Sequence, residues 1–269
     1  MKKNTFTFTN NNTQESYTYD ILEGKRGPSV VDIRSFFKDS GMFTFDPGFT
    51  STAACESTIT FIDGAKGELR YRGIPIEEMA KNHSYLETCF LLLNERLPTK
   101  EELTKFDLEI RHRAYLHRGL HKLFDAFPDN AHPMATLSAG VTALASFYDE
   151  HLKLENDQDY LEMAHRIISK IPTIAAFAYR QSLGIPFIEP DINLSFTENF
   201  LTMMRAYPGG KMRLNESGHE HITEVEIRAL DTIFTLHADH EQNASTTVVR
   251  GVASTGAHPY VAISSGISA

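Results

Sequence analysis

The chain opens on a period-two pattern. Phe6-Thr7-Phe8-Thr9 alternates apolar with polar, Asn10-Asn11-Asn12 interrupts, and Glu15-Ser16-Tyr17-Thr18-Tyr19 alternates again. Alternation puts the two classes on opposite faces of an extended strand, and two such runs about an Asn-rich turn predict a hairpin. Asp46-Pro47-Gly48 is a strong turn. Thr58-Ile59-Thr60-Phe61-Ile62, then Asp63-Gly64, then Leu69-Arg70-Tyr71-Arg72-Gly73 predict a second hairpin. Residues 1–73 therefore read as a β-rich segment.

From about Pro75 the period lengthens. Ile76, Met79 and Ala80, then Tyr85, Leu86, Cys89, Phe90 and Leu93, recur at helical spacing. Thr99 with Glu102 three residues on reads as the start of another helix. Further helices are expected near 115–127, 133–150, 160–170, 173–183, 194–205 and 224–236, with prolines between several of them, Pro172 included. Residues 208–222 are polar and contain glycine, the pattern of a surface loop. Residues 74–269 thus form one large, mainly helical domain.

The last stretch carries Gly251, Ala253, Ser254, Gly256, Ala257, Ala262, Ser264, Ser265, Gly266 and Ala269. Small side chains at this density allow either close helix packing or close backbone approach to a ligand, and packing is the simpler reading. The pattern runs to Ala269 with no polar cap, as expected of a helical segment whose sequel is missing.

Composition narrows the class. Of 269 residues 41% are hydrophobic and 23% charged, enough for a sizeable core. Lys and Arg total 26 against 35 Asp and Glu, a net charge of −9 with no basic block, which argues against a general nucleic-acid binder. No run is long enough to span a bilayer and the N-terminus lacks a signal-peptide pattern, so a cytoplasmic location without membrane attachment is expected. Two cysteines, Cys55 and Cys89, suit a reducing compartment.

No G-x-G-x-x-G or Walker A pattern occurs. His219-Glu220-His221 has Thr223 where a zinc-protease motif needs its second His, so it reads as solvated loop. The densest polar constellation is Leu236-His237-Ala238-Asp239-His240-Glu241-Gln242-Asn243-Ala244-Ser245-Thr246. His237 and His240, three apart, can share a helix face. Three readings stand: metal ligation by His237, Asp239, His240 and Glu241; an anion-binding or acid–base site; or an ordinary helix end. Arg111-His112-Arg113, His117-Arg118 and His121 form a basic cluster, either a solvated helix face or a site for an anion.

Phe45-Asp46-Pro47-Gly48-Phe49-Thr50-Ser51-Thr52-Ala53, Ile59-Thr60-Phe61-Ile62-Asp63-Gly64 and Tyr71-Arg72-Gly73 resemble the N-terminal region of citrate synthases. The likeness continues through His132-Pro133-Met134 and Lys170-Ile171-Pro172-Thr173, and is strongest over Leu236–Thr246. The extended β-rich N-terminus looks like the Gram-negative bacterial type, usually hexameric and NADH-regulated.

The resemblance implies a mainly α fold with a large and a small domain, in a homo-oligomer: a dimer or a hexamer of dimers. It implies condensation of oxaloacetate with acetyl-CoA and water to citrate and CoA, with acetyl-CoA as co-substrate, no covalent cofactor and no metal. His240 aligns with an oxaloacetate-binding His and His237 with its supporting neighbour. Arg111, His112, Tyr148, Arg166 and Lys170 match an allosteric NADH pocket, while a Cys of that pocket's loop is not kept, the region reading Tyr207-Pro208-Gly209-Gly210. The G-P-x-H-G-G-A-N segment with the enolising His, the catalytic Asp and the carboxylate-binding Arg residues would all fall beyond Ala269. The small domain and the C-terminal part of the large one are then missing, and the chain alone is expected to be inactive. Two alternatives remain: a non-catalytic truncated paralogue that binds NADH or pairs with full-length subunits, and a 2-methylcitrate synthase.

Overall fold

The computed structural model describes residues 4–148, 156–206 and 222–269. The Tyr207–Gly210 stretch, the His219-Glu220-His221 run and all but the last residue of the expected 208–222 loop lie outside them. The chain divides into two compact units, Met1–Gly73 and Ile74–Ala269.

In the first unit β1 (Thr5–Thr9) pairs antiparallel with β2 (Ser16–Leu22), with Phe6 opposite Tyr19 and Phe8 opposite Tyr17. The two-residue β3 (Val30–Val31) adds to the other edge of β2. Phe8, Tyr19 and Phe36, the last opening the short α1 (Phe36–Ser40), pack their rings 5.5–5.8 Å apart, the edge-on or tilted spacing that aromatic quadrupoles favour. Asp46 closes its turn by accepting from the Thr52 hydroxyl and from the backbone N–H groups of Ser51 and Thr50. The second hairpin joins β4 (Thr60–Asp63) to β5 (Glu68–Tyr71), with Thr60 opposite Tyr71.

The second unit begins with β6 (Ile74–Pro75) and is otherwise helical: α2 (Ile76–Asn82), α3 (Tyr85–Asn94), α4 (Lys100–His112), α5 (Arg118–Asp125), α6 (Pro133–Tyr148), α7 (Asp157–Ser182), α8 (Phe196–Arg205), α9 (Glu224–Leu236), α10 (Ala244–Ala253) and α11 (Pro259–Ile267). The helix starts follow from local chemistry. Ser84 with Glu87, Thr99 with Glu102, Asn156 with Asp159, and Thr223 with Glu226 each form a reciprocal capping box. Each satisfies two backbone N–H groups that a helix start leaves unpaired, and such a cap contributes about 1 kcal/mol.

Pro172 does not separate two helices, as its spacing suggests, but sits inside the single helix α7. Bonds to neighbouring segments on both sides of it offset the backbone bond that proline removes. Lys170 Nζ donates to the carbonyls of Arg113 and Tyr115, and Thr173 Oγ1 to the carbonyl of Ala114. Ser169, Lys170, Thr173 and Ile174 are all buried. Tertiary contact thus overrides a local breaker.

The main core lies among α5, α6, α7 and α11, built by Leu120, Phe124, Val141, Leu144, Ile174, Phe177 and Tyr260. A smaller cluster of Leu86, Phe90, Phe106 and Ile110 joins α3 to α4. The small-residue tail is packed helix only in part: Ala262, Ser264 and Gly266 are buried on α11, whereas Gly251 and Ala253 are exposed on α10 and Ser254, Gly256 and Ala257 lie between the two helices. A Cβ on Gly266 would stand 2.4 Å from Val249 Cγ2 and 3.1 Å from the Ser245 carbonyl, so α10 and α11 approach at a distance only glycine allows. On the α6 side Ser138 Oγ lies 2.9 Å from Ser264 Oγ and 2.7 Å from Ser268 Oγ, so hydroxyls bond across that seam.

Candidate functional site

Two places in the helical unit collect chemistry. The first is the link from α9 to α10. Asp231 on α9 accepts from the Tyr85 backbone N–H at the start of α3 and from the Thr197 hydroxyl on α8, both at 2.8 Å. Glu226 on the first turn of α9 pairs with Arg205 of α8 at 2.6 Å. These bonds anchor α9, and Thr235, one turn after Asp231, is fully buried. The helix then stops: His237 caps it, its N–H directed at the carbonyls of Ile233 and Thr235.

His237 and His240 therefore do not share a helix face. The helix ends at Leu236, and both imidazoles stand exposed on the link, which places them where a ligand can reach them. Asp239 Oδ2 accepts from the Glu241 backbone N–H at 3.0 Å. Glu241 takes φ +55, a left-handed value uncommon for a residue with a side chain, and reverses the chain there. Asn243 then caps α10 by accepting from Thr246 N at 2.9 Å, and Arg250 Nη1 reaches back to Gln242 Oε1 at 2.8 Å. Of the three readings of this stretch, metal ligation gains no support: among the described residues no three His, Cys, Asp or Glu side chains converge as a metal set.

The second place lies where the end of α4 meets α6 and α7. Lys170 is buried, at 5% exposure, and donates to the Arg113 carbonyl at 2.8 Å and the Tyr115 carbonyl at 2.7 Å. Its ammonium also sits 4.4 Å from the centroid of the Tyr148 ring. Two carbonyl dipoles and a π face are its acceptors; among the described residues it has no carboxylate. Burial, followed by the positive charges of Arg166 and Arg113, brings its pKa down to about 8. Tyr148, its hydroxyl accepting from His117 N at 2.9 Å, has its acidity weakened chiefly by burial.

Around this ammonium runs a chain of ion pairs. Arg113 meets Glu109 at 3.0 Å and Glu162 at 3.6 Å; Arg166 meets Glu162 at 2.7 Å; His165 Nδ1 lies 3.1 Å from Glu109. Counting Arg113, Arg166 and Lys170 against Glu109 and Glu162 leaves one positive charge, before any proton on His165. Among the described residues, Arg113 Nη1, Arg166 Nε and the hydroxyl of fully buried Tyr260 are buried without a hydrogen-bond partner. A cationic cluster with unspent donors is suited to an oxyanion.

The structure thus joins Tyr148, Arg166 and Lys170. Arg111 points elsewhere: it pairs with Asp107, donates to the Ile192 carbonyl at 3.0 Å and lines a small cavity with Ser169, Thr173 and Asn199. His112 is exposed at the last position of α4. The basic cluster read from the sequence already held Arg113, whereas Glu162 and Tyr260 were not among its candidate residues. Glu109–Arg113 and Glu162–Arg166 were legible as i,i+4 pairs on helices. Tyr260 carried no signal beyond one polar group in an apolar stretch.

Comparison with known proteins bears on the family of the chain. The family model described as citrate synthase, C-terminal domain, matches residues 48–269. A citrate synthase of Helicobacter pylori (strain J99) is 49% identical over 264 residues, which is 98% of this chain and 62% of that protein. The crystal structure of citrate synthase from Thermotoga maritima superposes with a TM-score of 0.68 at 32% identity, over 84% of this chain and 55% of that one. That from Pyrobaculum aerophilum gives 0.70 at 29% identity, over 93% and 57%. The chain therefore spans a little over half to three-fifths of the length of the relatives it matches.

Proposed function

The chain belongs to the citrate synthase family, and from that premise we propose that its function is the condensation of oxaloacetate with acetyl-CoA and water to citrate and CoA. The observation that carries this reading is the link between α9 and α10, where His237 and His240 stand exposed on a turn braced by Asp239, Asn243 and the Gln242–Arg250 bond. Oxaloacetate is a dianion with a carbonyl to be attacked. An imidazole can donate a hydrogen bond to an oxygen of such a substrate near neutral pH, so His240 binds the oxaloacetate while His237 supports it. No G-P-x-H-G-G-A-N run occurs within these 269 residues, and we propose that the polypeptide by itself holds one side of the reaction without turning over.

CoA thiol release from oxaloacetate and acetyl-CoA, measured on the purified chain with its mass confirmed, tests that statement. No release above background is expected; steady turnover would overturn it. Comparing acetyl-CoA with propionyl-CoA in an active, longer form separates this reading from a 2-methylcitrate synthase.

The cluster about Lys170 supports a second, regulatory reading: an anionic nucleotide, NADH, bound by Tyr148, Arg166, Lys170 and Arg113, with Arg111 and His112 at the margin. What favours it is a buried ammonium without a carboxylate, flanked by two guanidiniums. An oligomer, dimeric or hexameric, and a cytoplasmic location accompany this reading. Titration of NADH by its fluorescence is expected to show saturable binding that Arg166→Ala weakens at least tenfold. Unchanged affinity in that variant would refute the site.

A further inference from the structure

Glu162 stands one helical turn before Arg166 on α7. Its Oε1 is 2.7 Å from Arg166 Nη2 and 3.6 Å from Arg113 Nη2, so one carboxylate bridges the two guanidiniums that flank Lys170. The other acid of the network is placed differently. Glu109 is shared by Arg113 and His165, and its side chain is 27% exposed against 44% for Glu162. Glu109 is a built-in part of the packing; Glu162 lies at the solvent edge and can swing away by rotating about its own side-chain bonds.

We propose that Glu162 is an internal competitor of the nucleotide site: its carboxylate occupies the anion position between Arg113 and Arg166 and must leave before a nucleotide phosphate can take both guanidiniums. This rests on the nucleotide reading given above. The physical ground is that a guanidinium fork accepts a carboxylate and a phosphate in the same geometry, so the two exclude each other. A phosphate entering beside an undisplaced carboxylate meets like charge at close range. The hydrogen bond from Arg166, with the charges of Arg166 and Arg113, holds Glu162 below the usual carboxylate range, so it is ionised and competing throughout neutral pH. Because the competitor can be displaced, it lowers affinity without abolishing binding, which suits a ligand that reports concentration and must also leave.

The test is titration of the purified chain with NADH at low ionic strength, for the wild type, Glu162→Gln and Glu162→Ala, with ADP and uncharged adenosine as further probes. Because a solvent-edge ion pair has a modest effect, both variants are expected to bind NADH and ADP about fivefold more tightly. Adenosine affinity should not change. The advantage should fall below about twofold in roughly 0.5 M salt, where charges are screened within a few ångströms. Equal or weaker NADH binding by both variants, with the wild type still binding, overturns the competitor and leaves the nucleotide site standing. A matching gain for adenosine also overturns it, since a general loosening of the pocket would then be the cause. No binding by any of the three proteins overturns the nucleotide reading, and the competitor with it.

Discussion

The buried ammonium of Lys170 should make stability rise with pH across a range where most lysines are silent. In the fold it loses its proton near pH 8, against 10.5 for an ordinary lysine. Between those values the unfolded chain binds more protons than the folded one, so raising the pH favours the fold. At about 1.36 kcal/mol for each pH unit between the two values, the protonated lysine costs the fold roughly 3 kcal/mol at about pH 7, of which about 2 is regained by about pH 9.5. The perturbation is Lys170→Met, which keeps length and removes the charge. It leaves the carbonyls of Arg113 and Tyr115 without a donor, but that loss is the same at both pH values and cancels. Urea unfolding followed by far-UV circular dichroism, at about pH 7 and about pH 9.5, gives the four free energies required. The wild type should gain about 2 kcal/mol on the variant between the two conditions. A difference that stays flat, or that moves in favour of the variant, would refute the reasoning that burial and the two arginines depress Lys170.

Two further substitutions test the packing that places the sites. Gly266→Ala, driving a methyl group into Val249, should destabilise by about 2 kcal/mol, whereas Gly251→Ala, with nothing within 4 Å, should stabilise by about 0.5 kcal/mol; thermal unfolding of both distinguishes them. Arg180→Met should cost about 3 kcal/mol or more in urea unfolding, because fully buried Arg180 donates to the carbonyls of Pro186, Met203, Met204 and Ala206, the last three closing the end of α8.

Much of the fold was legible where local chemistry decides it. The Phe6–Tyr19 alternation and the Thr58–Gly73 pattern became hairpins, and Thr99 with Glu102 became a capping box, because period and cap chemistry act over a few residues. Pro172 misled for the opposite reason. What keeps α7 continuous is bonding to Arg113, Ala114 and Tyr115, more than fifty residues away in the chain and invisible to a window reading. The candidate site divides the same way. The His237–Thr246 stretch stood out by its density of polar groups, but its placement on a link after α9 depended on where the helix stops. Tyr148, Arg166 and Lys170 come from two helices, and only the packing of α6 on α7 and of α7 on the end of α4 shows which charges they share. Arg113 and Arg111, two positions apart, leave α4 in different directions, a distinction that sequence adjacency hides.

The central claim, that this chain carries the oxaloacetate side of a citrate synthase through His240, is tested most directly in a chimera. The remaining C-terminal portion of the Helicobacter pylori relative, which is 49% identical over the shared part, is joined after Ala269, and CoA thiol release is measured with and without His240→Ala. The account predicts an active chimera and a loss of about tenfold to a hundredfold in kcat/KM on removing His240, the scale for losing a hydrogen bond to a charged substrate. A folded chimera without activity, or one indifferent to His240→Ala, would contradict it.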